Sequence, residues 1–471
     1  MPSPPAFNLD PLFRPRTVAV VGASNNPSKL GWHVMTSLTR DGFGGRVVPV
    51  NPGTGNVFGL QAAAGLANVK GAVDLVVIAV PARLVPEVFD ACARKGVGGI
   101  VLITAGFKEV DDPEGGRLQD TLARRITEAG IPVIGPNTFG LVNRHHGLNA
   151  SFTPEFSLCE AGGVSLVSQS GGIAHLSAFL ALRDGVGVSK IVGLGNRMNT
   201  GFSDVVDYLM EDPDTRAVAL YVEGMDRPGS LLETIRAHRG KKPVVAYKTG
   251  ASLSGDRASM SHTGSLAGRN EIYRGFFRQA GILRVSDAET LLDAARGLAG
   301  SPPPAGGRVA VLTGQAGPGM AACDTLEAAG LEIPAFSPST RAEVERLLPP
   351  LALRTNPVDM GPAWYDNDAI TGMMRAVLED ERIDAVLLLM MFASANRSAI
   401  SGMTSFLKAW SQRKPVVSCL LAPPGVWDEE VKTLERDGAL VNFPTPERAA
   451  RALAGLHQAA GLRAKLDPAA S

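Results

Sequence analysis

One pattern occurs twice with similar letters and constrains the fold more than any other feature of the sequence. Residues 164–174 read VSLVSQSGGIA and residues 309–321 read VAVLTGQAGPGMA. In both segments an apolar run predicts a buried strand and small residues predict a tight turn. The residues that follow, 173–182 and 320–329, have the pattern of a helix. This internal echo indicates two related units, each built around a doubly wound sheet.

The first part of the chain alternates strands and helices in the same way. Apolar runs that predict strands are separated by helical stretches, and they lie at 17–21, 46–50, 72–80, 99–103 and 131–134. Such alternation predicts an α/β fold with parallel sheets, whose ligands bind at the carboxyl ends of the strands. We therefore predict a Rossmann-like domain at 8–143, followed by two flavodoxin-like domains at 150–300 and 305–465. A Pro/Gly-rich linker at 301–307 separates the last two.

Composition excludes several classes of function. The chain has 46 basic and 46 acidic residues, which gives no electrostatic case for nucleic acid or for a membrane surface. Its four cysteines form no CxxC pair, which argues against a metal site or a disulfide framework. The N-terminus lacks the apolar core of a signal peptide, and the longest apolar run, 385–393, is too short to span a bilayer. We expect a cytoplasmic protein.

The turn after the first strand invites comparison with the GxGxxG dinucleotide fingerprint and departs from it. Gly22 is present, but Ser24 stands at the second glycine position and Pro27 at the third. The second strand ends at Asn51 rather than at the acidic residue that would hold an NAD ribose. Nicotinamide binding is therefore disfavoured. A phosphate-bearing ligand remains compatible with a turn that feeds a helix, and Lys29 adds a positive charge unless it is only a surface residue.

Two features of the second domain suggest anion chemistry. The turn at 168–172 (SQSGG) has the architecture of a phosphate cradle, with Ser170, Gly171 and Gly172 as its candidate donors. The alternative is a turn that only serves packing. Glu223 directly follows the apolar run 218–222, so its carboxylate should face the ligand side of the sheet, where it can orient an imidazole. The alternative is a solvated loop glutamate.

His262 is the strongest candidate for a catalytic residue in the sequence. It lies among small hydroxyl and glycine residues, within 259–268 (SMSHTGSLAG), and a helical pattern follows. Backbone N–H groups there, such as that of Gly264, and the hydroxyls of Thr263 and Ser265 would bind an anion beside the imidazole. A histidine with an oxyanion site is what a phosphoryl-carrying nucleophile requires. Taken alone, a solvated loop histidine is the more common situation.

Longer segments point to one family. KTG at 248–250 followed by SHTGSLAG at 261–268 resembles the phosphohistidine segment of the nucleoside-diphosphate-forming acyl-CoA synthetases. This superfamily includes succinyl-CoA synthetase and ADP-forming acetyl-CoA synthetase, and the resemblance covers nearly the whole chain. It implies that His262 carries the phosphoryl group, that Glu223 holds the ring, and that the helix after Ser170 is aimed at the histidine. The second turn, at Gly317 and Gly319, would supply another helix N-terminus or be inherited without contact.

The resemblance also implies CoA as a ligand of the first domain. The matching positions all follow predicted strands or open the first long helix, and they are Gly22, Ala23, Ser24, Lys29, Asn51, Val80, Pro81, Thr104 and Asn137.

No Walker GxxxxGK[ST] sequence occurs, and no carboxylate cluster suits Mg·ATP. The family carries the nucleotide on an ATP-grasp module, so the resemblance implies a β-type partner subunit that supplies ATP or ADP and Mg²⁺, in an oligomeric enzyme. The expected reaction interconverts acyl-CoA, phosphate and ADP with a small carboxylic acid, CoA and ATP. Two rival interpretations are a non-catalytic CoA-binding or regulatory protein and, less favoured, an NAD-dependent oxidoreductase.

Overall fold

A computed structural model describes residues 7–40, 42–110, 112–250, 252, 270–410 and 413–466. The chain forms two compact units, Met1–Ala288 and Glu289–Ser471. The first unit contains two parallel-stranded sheets and the second unit contains one.

The first sheet is built from five parallel strands in the described residues. They are β1 Thr17–Val21, β2 Arg46–Val50, β5 Leu75–Ile78, β6 Gly99–Leu102 and β7 Val133–Ile134, and a small separate hairpin comprises β3 Asn56–Val57 and β4 Leu60–Gln61. The helices of this part are α1 Asp10–Phe13, α2 Leu30–Arg40, α3 Val85–Lys95 and α4 Pro113–Ala129. The order β2-β1-β5-β6-β7 places β1 between β2 and β5, which creates a topological switch point between β1 and β5.

The second sheet repeats this order. Its strands are β8 Gly140–Asn143, β9 Leu148–Ser151, β10 Ala161–Ser168, β11 Val188–Gly193, β12 Ala217–Val222, β13 Val244–Lys248 and β14 Leu283–Val285. The helices are α5 Gly171–Arg183, α6 Phe202–Glu211, α7 Pro228–Ala237 and α8 Asn270–Gln279. The order β14-β13-β12-β10-β11 is parallel, with the switch point between β10 and β12, and the antiparallel hairpin β8–β9 extends it beyond β11.

The sheet of the second unit has the same parallel order, which agrees with the internal echo in the sequence. Its strands are β15 Val309–Thr313, β16 Leu353–Arg354, β17 Val358–Asp359, β18 Ala385–Met391, β19 Val416–Leu421 and β20 Val441–Asn442. The helices are α9 Ala288–Gly300, α10 Ala316–Ala328, α11 Pro338–Leu347, α12 Asn367–Glu379, α13 Ala399–Trp410, α14 Asp428–Arg436 and α15 Pro446–Ala464. Apart from the antiparallel edge strand β16, neighbouring strands run parallel, with the switch point between β15 and β18.

Short 3₁₀ turns connect several of these elements, at Leu66–Asn68, Ala82–Leu84, Arg144–His146, Pro154–Leu158, Gly361–Ala363 and Ser394–Asn396. The central strands read as continuous apolar runs because both of their faces are covered. All residues of β12, β15 and β5 are buried, for example. The fold prediction, α/β with parallel doubly wound sheets, is confirmed. The domain bounds 8–143, 150–300 and 305–465 stay predictions.

A buried ion pair on β11 of the second sheet also holds the N-terminal segment. Lys190 on β11 is fully buried, and its ammonium donates to the Asp212 carboxylate at 2.5 Å. Arg14, which follows α1, also donates to Asp212 at 3.0 Å, across 198 positions of sequence. Burial alone would raise the pKa of Asp212, but hydrogen bonds from Lys190 and Thr215 outweigh it and lower the pKa. This network fixes the N-terminal segment against the second sheet.

Candidate active site

Hydrogen bonds join the loops along the carboxyl edge of the first sheet. The Gly22 amide donates to Val50 at 3.1 Å, and the Asn51 side chain donates to the Ala23 carbonyl at 2.8 Å. Farther along the edge, the Thr104 hydroxyl donates to the Val80 carbonyl at 2.7 Å.

The Asn137 amide continues this series by donating to the Thr104 carbonyl at 2.9 Å. The edge therefore brings together the predicted CoA positions Gly22, Ala23, Asn51, Val80, Pro81, Thr104 and Asn137.

Two predicted CoA positions lie on the approach to α2 rather than on this edge. The Ser24 hydroxyl accepts from the Asn26 amide at 3.0 Å, so it shapes the turn. Lys29 is exposed immediately before α2 begins, and its amide donates to the Asn26 carbonyl at 3.0 Å. Its side chain is open to solvent, where it can meet a ligand phosphate or remain a surface charge.

Glycines hold the turn after β1 against its neighbours. Gly22 has φ +90°, and a Cβ there would meet the Ala79 carbonyl oxygen at 2.5 Å. Gly31, in the first turn of α2, lies closer still, because its Cβ would stand 1.9 Å from the Gly22 carbonyl oxygen. In the dinucleotide fingerprint the third glycine lets the helix pack closely on the turn. Here Gly31 has that role, and the loop before it is longer.

The predicted phosphate turn of the second domain is the N-terminus of α5. Ser170 is the N-cap, and its hydroxyl accepts from the Ile173 amide at 3.4 Å. Gly171 and Gly172 are exposed, and a Cβ on either would meet its nearest neighbour only at 3.9 and 3.8 Å. Packing therefore does not require glycine at these two positions. The absence of side chains there would instead let a ligand approach the backbone N–H groups of the helix N-terminus. The expected helix start at 173 is wrong by two residues, because Gly171 and Gly172 form the first turn.

Glu223 lies at the end of β12, one strand from α5, as expected from its place in the sequence. Its amide donates to the Gln169 side-chain oxygen at 2.5 Å, and the Gly224 amide donates to the same atom at 3.0 Å. The Tyr221 hydroxyl bonds to Thr249 at 2.9 Å and to the Glu223 carboxylate. Burial, chiefly, raises the pKa of Tyr221 to about 12, so the phenol stays protonated beside the carboxylate.

The carboxyl edges of the first and second sheets meet through Asn196. Its amide nitrogen donates to Glu109 at 2.6 Å and to Gln119 at 3.1 Å, and its oxygen accepts from the Asn137 side chain at 3.4 Å. Gly195 has φ +55° and approaches so closely that a Cβ would stand 2.1 Å from the Pro136 carbonyl oxygen. The CoA-side edge and the edge bearing Glu223 are therefore contiguous.

Glu109 is held ionised at this junction. Burial opposes its charge, but hydrogen bonds from Asn196 and from the amides of Gly106 and Phe107 outweigh burial and lower the pKa of Glu109.

Asn196 and Asn199 lie between β11 and α6, where a side chain could either shape a pocket or cap the helix. Neither caps it, since Gly201 is the N-cap of α6 and its amide donates to the Asp204 carboxylate at 2.8 Å. Asn199 instead accepts from the Val133 amide at 2.9 Å and donates to the Ile131 carbonyl at 2.8 Å. The Asn199 side chain thus pairs with one N–H and one C=O group of the backbone at β7, as the backbone of an adjacent strand would do.

The second candidate anion turn lies in the other compact unit. The expected helix start at 320 is wrong, because α10 begins at Ala316 and includes Gly317 and Gly319 in its first turn. Pro318 is tolerated there because the first helical turn needs no donor from it. A Cβ on Gly319 would meet Thr313 at 2.8 Å, so this glycine serves packing, whereas Gly317 has no atom within 4 Å of its Cβ position in the described chain.

His262, Gly264 and Ser265 lie outside the described residues. Within the described ranges, His, Cys, Asp and Glu form no cluster of three or more that would hold a metal ion. No helix there combines the length and apolarity needed to cross a membrane.

Sequence reasoning gave no role to Gln169, although it stands inside the SQSGG motif. Its partners at 223 and 224 are 54 and 55 positions away, and no local pattern signals such a contact. Lys248, the first residue of the KTG segment, was given no role of its own either. It is buried, it donates to the Thr249 carbonyl, and its ammonium lies 4.7 Å over the Tyr273 ring.

Two family descriptions match the chain. The CoA binding domain family matches residues 16–144, and the succinyl-CoA ligase like flavodoxin domain family matches residues 161–298.

Whole-chain relatives agree with these domains. The chain is 35% identical to the acetate–CoA ligase [ADP-forming] II subunit alpha of Pyrococcus furiosus, over 96% of this chain and 98% of that one. It is 34% identical to acetate–CoA ligase [ADP-forming] I of Archaeoglobus fulgidus, covering 97% of this chain but only 64% of that longer one.

A solved structure also matches over nearly the whole chain. The chain superposes on the dinucleotide-forming acetyl-coenzyme A synthetase 1 of Ca. Korarchaeum cryptofilum, in complex with phosphate and ADP, with a TM-score of 0.88. The sequence identity is 32%, and 98% of each chain is covered. With identity of this level over almost the full length of an alpha subunit, the chain belongs to the ADP-forming acyl-CoA ligases, which are acid–thiol ligases, as an alpha-type chain.

Proposed function

We propose that this chain carries out the acyl-transfer and phosphoryl-capture half of the ligase reaction, with His262 as the phosphoryl carrier. The observation that carries the proposal is the junction at Asn196. It joins the edge that bears the predicted CoA positions to the edge that bears the α5 N-terminus and Glu223. A thioester bound along the first edge would thus reach an anion held at the second.

CoA would bind along Gly22–Ser24, Asn51, Val80–Pro81, Thr104 and Asn137, with Lys29 contributing charge to its phosphates. Loops at the carboxyl ends of parallel strands are the usual ligand position in such sheets. The tight packing of Gly22, Gly31 and Ala79 fits this use, because it leaves a turn whose backbone, rather than side chains, faces the ligand.

The chemistry would proceed in two displacements. A phosphate oxygen, held at Ser170–Gly172, attacks the thioester carbonyl carbon, and the C–S bond breaks to release CoA and form an acyl phosphate. An imidazole nitrogen of His262 then attacks phosphorus, and the P–O bond to the acyl group breaks to release the carboxylate. Glu223 accepts the imidazole N–H and stabilises the cationic ring. Gly264 and Ser265 would donate to phosphoryl oxygens. Within the second unit, Gly317 and Gly319 are the candidate donors to an anion at the α10 N-terminus.

The nucleotide step would need a second polypeptide. The A. fulgidus relative extends well beyond the part that matches this chain, which supports a further module carried elsewhere. We propose an ATP-grasp β-type subunit that contributes ADP and Mg²⁺ and joins this chain in an oligomer, with no nucleic acid or membrane involved. The substrate would be a small carboxylic acid, acetate being the first to test because the P. furiosus relative is named for it. A cytoplasmic location remains our prediction from composition.

The proposal is tested by incubating the purified chain with acetyl-CoA and ³²P-phosphate. We expect acid-labile label on the chain and release of CoA. His262→Ala should abolish the label and leave CoA affinity, measured by calorimetry, unchanged. A chain that binds CoA but takes no label with acetyl-CoA or with longer acyl-CoA substrates would be a CoA-binding protein instead.

A further inference from the structure

The side-chain oxygen of Gln169 accepts two hydrogen bonds, whereas its side-chain nitrogen donates none to the described residues. Its side-chain oxygen accepts from the amides of Glu223 and Gly224, at 2.5 and 3.0 Å. Both partners are N–H groups, so the atom facing them is the oxygen and the amide orientation is fixed by chemistry. The residue is 8% exposed, and its side-chain nitrogen is buried with no hydrogen-bond partner among the described residues. A buried amide N–H₂ without a partner is costly, so its retention needs a reason.

The related turn in the second unit provides an internal comparison. Ser168 and Thr313 make the same contact, since each hydroxyl donates to a carbonyl two residues on, at 2.7 and 2.6 Å. In the second unit the Gln315 side chain contacts the end of β18 with both of its ends. Its nitrogen donates to the Met391 carbonyl and its oxygen accepts from the Met391 amide, each at 3.3 Å. Gln315 is the N-cap of α10 and so corresponds to Ser170, one position later in the turn than Gln169. It performs a similar bridging role with both of its polar atoms paired, whereas in the first unit the Gln169 nitrogen has no partner among the described residues.

The position of the spare donor fits one class of ligand. Gln169 immediately precedes Ser170, the N-cap of α5, and its oxygen sits against the Glu223 amide. Because the two terminal atoms of a carboxamide are about 2.2 Å apart, its nitrogen lies within about 5 Å of that amide. Since Gln169 is also the residue directly before the α5 N-cap, an anion at that N-terminus would have a neutral, buried donor on the adjoining residue.

We propose that the Gln169 side-chain nitrogen donates to a phosphoryl oxygen bound at the α5 N-terminus. Gln169 then both fixes the turn that carries Glu223 and contacts the phosphoryl group. This inference rests on the proposed function, because it assumes that phosphate is used at this turn. A hydrogen bond from a neutral donor to phosphate is worth about tenfold or more in affinity.

Two substitutions separate a donor from a purely structural clamp. Gln169→Glu keeps an oxygen for the amides of Glu223 and Gly224 but replaces the donor with a second, negatively charged oxygen. Gln169→Met keeps the length of the side chain and removes both functions. If Gln169 only holds the turn, the Met variant should be the more damaged. If it binds phosphate, the Glu variant should be at least as damaged, because the repulsion adds to the lost donor. Gln458→Glu, on the exposed surface of α15, is the charge-matched control.

The measured quantity is the phosphate concentration that gives half-maximal ³²P labelling with acetyl-CoA, together with CoA affinity and thermal unfolding. We expect Gln169→Glu to raise that concentration about tenfold or more, with CoA affinity unchanged and Gln458→Glu like the wild type. An unchanged phosphate requirement in Gln169→Glu, or damage confined to the Met variant, overturns the inference and leaves the proposed function standing. A wild-type chain that takes no label overturns both. A measurement without substitution uses ¹⁵N-glutamine: one buried side-chain N–H₂ pair should shift when phosphate is added, and the absence of any such shift contradicts the inference.

Discussion

Replacing Gly31 with alanine tests whether close packing of α2 on the Gly22 turn shapes the CoA site. The new Cβ would stand 1.9 Å from the Gly22 carbonyl oxygen, whereas an ordinary contact is 3.4–4 Å. The helix or the turn must therefore move by about 1.5 Å, the difference between 1.9 and 3.4 Å. Neither can yield cheaply, since both are backbone and the Gly22 amide is bonded to the Val50 carbonyl at 3.1 Å. Overpacking of this kind costs about 2–3 kcal/mol.

The assay combines thermal unfolding with calorimetric titration of CoA. We expect the melting temperature to fall by about 4–8 °C and CoA affinity to fall by about tenfold or more, since the turn that receives the ligand is displaced. Gly116→Ala is the matched control, because its Cβ would meet no atom within 4 Å in the described chain. It lies inside α4, where alanine should be neutral or stabilising by about 1 kcal/mol. A Gly31→Ala chain that melts and binds CoA like the wild type would refute the packing argument.

Three further outcomes follow from the contacts described. Glu223→Gln should slow ³²P labelling about 10–100-fold, because the amide orients the imidazole but does not balance its charge, while calorimetry shows CoA affinity unchanged. Lys190→Met should lower the free energy of unfolding in urea by about 3 kcal/mol, because the buried Asp212 carboxylate loses its ammonium partner and keeps only Arg14 as a cationic one. The lowered pKa of Glu109 adds stability that is complete above the ordinary glutamate pKa of 4.5 and is lost as pH falls through the folded-state value. Urea unfolding between pH 3 and 7 should therefore be less pH-dependent in Glu109→Gln, which cannot form the charged hydrogen bond from Asn196.

Each of these has a control and a contradicting result. A Glu223→Gln chain labelled at the wild-type rate would remove that carboxylate from the mechanism. Arg346→Met breaks an exposed ion pair with Glu343 on α11 and should cost below about 1 kcal/mol, so an equal loss in both lysine and arginine variants would argue against burial as the cause. Parallel acid-side slopes for Glu109→Gln and wild type would contradict the assigned pKa shift.

Local chemistry in the sequence was sufficient to locate the strands that carry the site. The runs 17–21 and 46–50 coincide with β1 and β2, because β-branched residues are bounded there by glycine or by Asn-Pro. The positions of Gly22, Asn51 and Glu223 at strand ends followed from the same logic. Strand 72–80 was predicted too long, since only Leu75–Ile78 pairs with its neighbours.

What the sequence did not reveal depends on contacts between distant segments. The hairpin β8–β9 was not foreseen, because its place beside β11 depends on pairing that no local pattern signals. Lys190 stood in an apolar strand with no sign that Asp212 and Arg14 would meet it there. The dinucleotide fingerprint places the glycine that packs the first helix at position 27, whereas the longer loop of this chain gives that role to Gly31.

The central claim is that one imidazole on this chain receives the phosphoryl group released from acyl phosphate, beside the α5 N-terminus and Glu223. The most direct test is tandem mass spectrometry, under neutral conditions that preserve phosphoramidates, of peptides from the chain after incubation with acetyl-CoA and phosphate. We predict a single phosphoryl group on His262, dependent on acetyl-CoA. Phosphoryl transfer to a different residue, or CoA release from acetyl-CoA and phosphate without any phosphorylated histidine, would contradict the account.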